Sequence, residues 1–188
     1  MRFTIGAEVT DAEGPCGELI RIVVDPQALC VTHLVVEPKH RLGLGRLVPV
    51  DLVEMGSDRV HLGCDRAAFE ALPAAEDVRF VAAADDFPGE GLVEPVVDEA
   101  VPQGRVTVGE RDPVYALDGE IGRLHGVITS GVGHRVTDVV LHEGHLLRRK
   151  DVTIPAATVT GVGDGVQLNL TREQIEQLPA EGEAGRES

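Results

Sequence analysis

The sequence predicts an all-β chain made of two tandem small β-barrels, each closed by a short C-terminal helix. Three observations carry that expectation. First, the chain contains itself twice: residues 58–73, DRVHLGCDRAAFEALP, align without a gap on residues 164–179, DGVQLNLTREQIEQLP, at an offset of 106. Second, short β-branched apolar runs bounded by Gly, Pro, Asp or Glu recur at close spacing, as in an antiparallel sheet curled into a barrel. Third, each copy ends in a capped helical stretch stopped by a proline. A repeat this long marks two copies of a domain, since solenoid units recur every ~20–50 residues.

The elements follow in order. EGPCGELIRIVV (13–24) lies over DGEIGRLHGVIT (118–129), and VTHLVV (31–36) over VTDVVL (136–141), both at an offset of 105. One residue is therefore gained farther along the copy, most simply in a loop. The runs 19–24, 31–36 and 136–141 fit strands buried on much of both faces. Turns are expected at Gly14–Gly17, Asp25–Cys30, Gly119–Gly122 and Ser130–Arg135, where Gly, Pro and Asp gather. Val60, Leu62 and Cys64 alternate with His61 and Gly63, as Val166, Leu168 and Leu170 do with Gln167 and Asn169, the period of a half-buried strand. Asp65 and Thr171 are N-cap candidates, and Gln174 completes a capping box with Thr171. Pro73 and Pro179 end the two helices, because a proline steers the preceding residue out of the α region. The copies serve as controls for each other: a residue type found in only one is not required by the fold.

Two units of about 70 residues are modest in size and bury a limited share of their surface, so each is expected to lean on its twin or on a partner. The expected division is a first barrel at 1–75, an acidic linker at 76–105, a second barrel at 106–180 and a disordered polar tail at 181–188. The chain carries 17 basic and 32 acidic residues, a net charge of −15. Within 74–104, eight acids against the single Arg79 leave −7. Nucleic-acid affinity begins with Lys and Arg displacing counterions, so this balance argues against direct nucleic-acid binding. Aromatic residues make up 3%, with no Trp, which removes the stacking platform that single strands need. No apolar run approaches the ~18 residues of a membrane span, and the N-terminal residues lack the apolar stretch of a signal peptide. A cytoplasmic protein with no membrane insertion is expected. Cys16, Cys30 and Cys64 are odd in number and lack CxxC spacing, which speaks against a disulfide framework or a zinc site.

The ordered set Asp11…Gly14-x-x-Gly17-x-Leu19, Val23-Val24-Asp25-Pro26, Val31-Thr32-His33-Leu34-Val35-Val36, Arg46-Leu47-Val48-Pro49 and Val60-x-Leu62…Leu72-Pro73 resembles the PRC-barrel family. The second copy matches through Asp118-Gly119-x-x-Gly122-x-Leu124, Val136-Thr137-Asp138-Val139-Val140-Leu141, Ile154-Pro155 and Val166-x-Leu168…Leu178-Pro179. Glu143-Gly144-His145-Leu146 with Arg149-Lys150-Asp151 resembles the tandem two-copy type of actinobacteria. The resemblance implies a small barrel used as an adaptor, as in the photosynthetic reaction-centre H subunit and the RimM-type ribosome maturation factor. Neither of those activities carries over, since the H subunit's membrane helix and the other RimM domain have no counterpart here.

Chemical motifs are sparse. Gly14-x-x-Gly17 and Gly119-x-x-Gly122 lead straight into strands, so they read as turn geometry, where Gly supplies positive φ. His142-Glu143-Gly144-His145 offers metal-ligand types, but a turn after a strand lacks the helical spacing of HExxH, and His142 and His145 remain weak metal candidates. His33, His61 and His125 face Asp138, Gln167 and Ile20 across the repeat, with no constellation expected. No GxSxG or paired nucleophile and base occurs, so catalytic residues and cofactors are expected to be none. Arg148-Arg149-Lys150 is the one basic triplet. It could seat an acidic partner, bind the chain's own acidic linker or protect a strand edge. Strict alternation puts Leu19 and Val23 on a core face and Ile20, Ile22 and Val24 on the opposite face, which then suits contact with the linker, the other barrel or another protomer.

The expected function is a non-enzymatic cytoplasmic adaptor that binds a protein partner or a second copy of itself. One alternative is a ribosome-maturation or RNA-processing accessory acting through a ribosomal protein. Another is a metal- or small-ligand-responsive stress sensor using His142 and His145.

Overall fold

The computed structural model describes residues 1–39, 45–54, 59–82, 93–143 and 151–178. The first copy contributes β1 (Arg2–Thr4), β2 (Glu8–Asp11), β3 (Gly14–Asp25), β4 (Cys30–Pro38), β5 (Arg46–Pro49), β6 (Val60–His61) and helix α1 (Arg66–Glu70). Between the copies run β7 (Glu76–Ala82) and β8 (Val93–Glu99). The second copy supplies β9 (Val106–Gly109), β10 (Pro113–Ala116), β11 (Gly119–Thr129), β12 (Val136–Glu143), β13 (Asp151–Pro155), β14 (Val159–Gly163), β15 (Gly165–Leu168) and helix α2 (Arg172–Glu176). The expected all-β class holds.

Six strands form one sheet, in the order β5-β4-β3-β2-β6 with β9 added on β3. Seven form the other, β13-β12-β11-β10-β15-β14 with β1 added on β11. The same pairings recur in both: β2 runs parallel to β6 through Val9 and Val60, and β10 parallel to β15 through Val114 and Val166. His33 pairs with Pro49 where Asp138 pairs with Pro155, so the residue gained by the second copy falls between β12 and β13.

The two copies trade their first strands. β1 opens the first copy yet pairs antiparallel with β11, Phe3 opposite Val127. β9 opens the second copy yet pairs with β3, Val108 opposite Ile22. Phe3 and Val108 are each 1% exposed, and one hydrophobic core runs through both halves. The exchange sits on a pseudo-twofold axis. Toward one end of that axis the equivalent residues Leu29 and His134 both adopt left-handed φ, 48° and 46°. Val31 N–H donates to His134 O at 3.0 Å while Val136 N–H donates to Leu29 O at 2.7 Å.

Both long strands break alternation at matching places. The β3–β4 register shifts between Leu19 and Arg21 and again between Val23 and Val24, and β11–β12 shifts between Leu124 and Gly126 and between Ile128 and Thr129. A bulge inserts one unpaired residue and turns the following side chains over. Leu19, Ile22 and Val24 therefore all enter the main core, whereas Val23 joins Val35, Leu47 and Ala75 on the other face, with Ile20 and Val101 packed against them. This corrects the simple alternation: Ile22 and Val24, 0% and 3% exposed, are interior residues and offer nothing to a partner.

The glycines of the two turns do the work expected of them. Gly14 and Gly119 take φ of 121° and 128°, a conformation a side chain would strain. Gly17 and Gly122 serve close approach, since a Cβ there would run into Glu37 O and His142 O. Asp65 accepts from Ala68 N–H at 2.8 Å, and Thr171 and Gln174 form the capping box. No described helix is long and apolar enough to cross a membrane.

Candidate functional site

With the fold repeated, the informative positions are those where the copies differ. Four of them meet at one edge of the seven-stranded sheet: Arg2, His125, His142 and Asp151, against Thr107, Ile20, Glu37 and Gly45 in the first copy. β1 brings Arg2, the bulge in β11 presents His125, and neighbouring strands β12 and β13 place His142 opposite Asp151. None of the four is required by the fold, because the first copy lacks all of them.

Asp151 is the hub. Its Oδ1 lies 2.9 Å from His142 Nδ1, and its Oδ2 lies 3.7 Å from both His125 Nε2 and an Arg2 Nη. The carboxylate accepts from Nδ1–H of His142, which leaves Nε2 with a lone pair for an incoming donor. The two imidazoles stand 5.5 Å apart at 45°. All four side chains are between a quarter and two-fifths exposed, so a partner can reach them. With Arg2 beside the same carboxylate oxygen, the group is an ion-pair network. Among the described residues no set of three or more His, Cys, Asp or Glu is arranged to hold a metal ion.

The equivalent edge of the first copy is closed by the chain itself. Leu47 N–H donates to Pro73 O at 2.8 Å and Ala75 N–H to Gly45 O at 2.7 Å, while Ala75 and Val101 pack near Ile20. From this point the chain leaves the body as the antiparallel ribbon β7–β8 and returns, with Ala100 N–H donating to Ala75 O at 2.8 Å. The expected acidic linker thus contains two strands. Arg21 lies 3.2 Å from Glu76 at the ribbon's base.

A groove of about 450 Å³ lies between the equivalent turns at 5–7 and 109–112, with Leu19 and Ile20 in its lining. Its charges have both signs, Arg21 and Arg111 against Glu18, Glu110 and Asp112. Asp112 is already engaged by Gly109 N–H at 2.8 Å.

Of the residues singled out from sequence, His142 joins the cluster, and Ile20 lines both the groove and the covered face. His145, Arg148, Arg149 and Lys150 lie outside the described residues. The histidines, expected to be scattered, include one pair that the β11–β12 register brings together. Sequence reasoning also missed Arg66 and Arg172, the identical first residues of the two helices. Arg66 N–H donates to Glu13 and its guanidinium to Pro15 O, and Arg172 makes the same two bonds to Asp118 and Glu120 O. Their signal was present as a shared Arg with a shared acid at the β2–β3 and β10–β11 turns. In the first copy alone, Arg66 also grips the buried Asp11, Nε to Oδ2 at 2.6 Å, which holds the Asp11 carboxyl below its ordinary range. Burial, with Asp11 adding to it, pushes the Cys16 thiol up to about 11, which makes it a poor nucleophile. No protein-family model and no curated protein matches the chain.

Proposed function

We propose that this chain is a non-enzymatic protein-interaction module, two PRC-barrel-like units fused by their exchanged strands into a platform for a protein partner. The observation that supports this reading is where the copies agree and where they part. Shared residues build the core, the turns and the helix anchors, as Leu19 and Leu124, Gly17 and Gly122, and Arg66 and Arg172 do. Two large differences are placed where a partner can meet them: the Arg2–His125–His142–Asp151 network and the β7–β8 ribbon, which has no counterpart after α2 among the described residues. Surface features that the fold does not need are the usual seat of recognition.

The test is crosslinked capture from lysate of the source organism after nuclease treatment. Wild type would run beside a chain in which Gly-Gly replaces 76–99 and beside His142→Ala/Asp151→Ala. One stoichiometric, nuclease-resistant protein, lost in either variant at unchanged melting temperature, supports the reading. Nothing above background, or a partner that nuclease removes, refutes it.

A further inference from the structure

We propose that the β7–β8 ribbon is a docking arm for a Lys/Arg-rich extended segment of a partner protein. The inference rests on the interaction-module reading and names the chemistry of the partner.

The ribbon is an excursion. It leaves and returns at Ala75 and Ala100, already hydrogen-bonded to each other at 2.8 Å, so the body closes without it. Its register sets Glu76 opposite Glu99 and Asp77 opposite Asp98. Like charges directly opposite on paired strands destabilise a sheet. A two-stranded sheet is marginal in water even without that burden. The pairing is therefore poorly suited to the ribbon's own stability and well suited to one that gains counter-charge from outside.

Charge also decides which occupant fits. Residues 76–99 carry eight acids and one base, a net −7. A second copy of the ribbon would bring the same −7 against it, so the unpaired edges are protected from self-association by repulsion. A strand carrying Lys and Arg meets attraction at the same edges, and main-chain hydrogen bonds add to it. The chain shows a small instance of this preference: Arg21 of β3 stands 3.2 Å from Glu76.

A fluorescein-labelled decapeptide rich in Lys and Arg, titrated against the full-length chain by anisotropy, tests the proposal. The ribbon variant is Asp77→Asn/Asp98→Asn/Glu99→Gln. A control removes as many charges from exposed sites elsewhere, Glu110→Gln/Glu173→Gln/Glu176→Gln. We expect binding that fades with salt, weakened at least tenfold in the ribbon variant and little changed in the control. Removing the opposed charges should leave the melting temperature no lower, which separates lost binding from lost folding. Equal weakening in both variants would show attraction to net charge alone and overturn the proposal, as would no binding at all. Binding that emerges only with Arg148→Ala/Arg149→Ala/Lys150→Ala would assign the ribbon to the chain's own triplet, again overturning it. A capture partner that depends on the ribbon, with no response to the peptide, would sink this inference and leave the interaction-module reading intact.

Discussion

Asp11 shows how one residue can be dispensable to the fold and still matter to stability. Its equivalent, Ala116, needs no partner, whereas Asp11 is 2% exposed and is held by Arg66 and by Glu13 N–H at 2.9 Å. Because its carboxyl is held below the ordinary value of 3.8, the unfolded chain takes up the proton first as pH falls. Its stabilisation is therefore complete above pH ~5 and is lost as pH drops through the folded-state value. Asp11→Asn should lower the urea midpoint at pH 7, with a gap to wild type that narrows steadily below pH 4. A constant gap down to pH 2.5 would show that the pair does not contribute in this way. The Arg66–Asp11 pair is not legible in sequence, since its members come from opposite ends of the first copy and the second copy offers no echo.

Among the elements, the paired turns carry a sharper constraint than their composition suggests. Gly17 and Gly122 lie against backbone carbonyls, which cannot move aside as a side-chain end can. Gly122→Ala should cost about 2–3 kcal/mol, read by chemical denaturation, whereas Gly163→Ala, with open space around its missing Cβ, should cost much less. Equal costs would mean that β11 and β12 are not in van der Waals contact there. The strands, turns and helix ends were largely legible, because repetition at a fixed offset and capping chemistry are local signals. The bulges were not. VTHLVV and GELIRIVV are apolar at nearly every position, so no polar residue marks where alternation breaks and Ile22 and Val24 turn inward. The His125–His142–Asp151 site was hidden for the same reason, since His125 occupies the bulge that brings it to the edge.

At the scale of the molecule, the repeat announces two copies but cannot show the exchange. β1 would bury Phe3 whether it paired within its own half or with the other, so the sequence pattern is identical in both cases. The consequence is measurable. A protease site placed within 83–92 and cut in the native state should leave the two fragments together on gel filtration, melting in one transition, because each supplies a strand to the other's sheet. Fragments that part without denaturant would refute the shared core.

The traded strands also set a timetable for synthesis. The flank of β3 that β9 completes stays vacant until residue 109 has been made, and β1 has no β11 to join until about residue 129. At ~5–20 residues per second the ribosome takes several seconds over that stretch. For that interval the nascent first half carries Phe3 on an unpaired strand and an open flank on its longest strand. Such long-range pairing slows folding. The newborn chain is thus most dependent on chaperones midway through translation, before the strands that complete its first sheet exist.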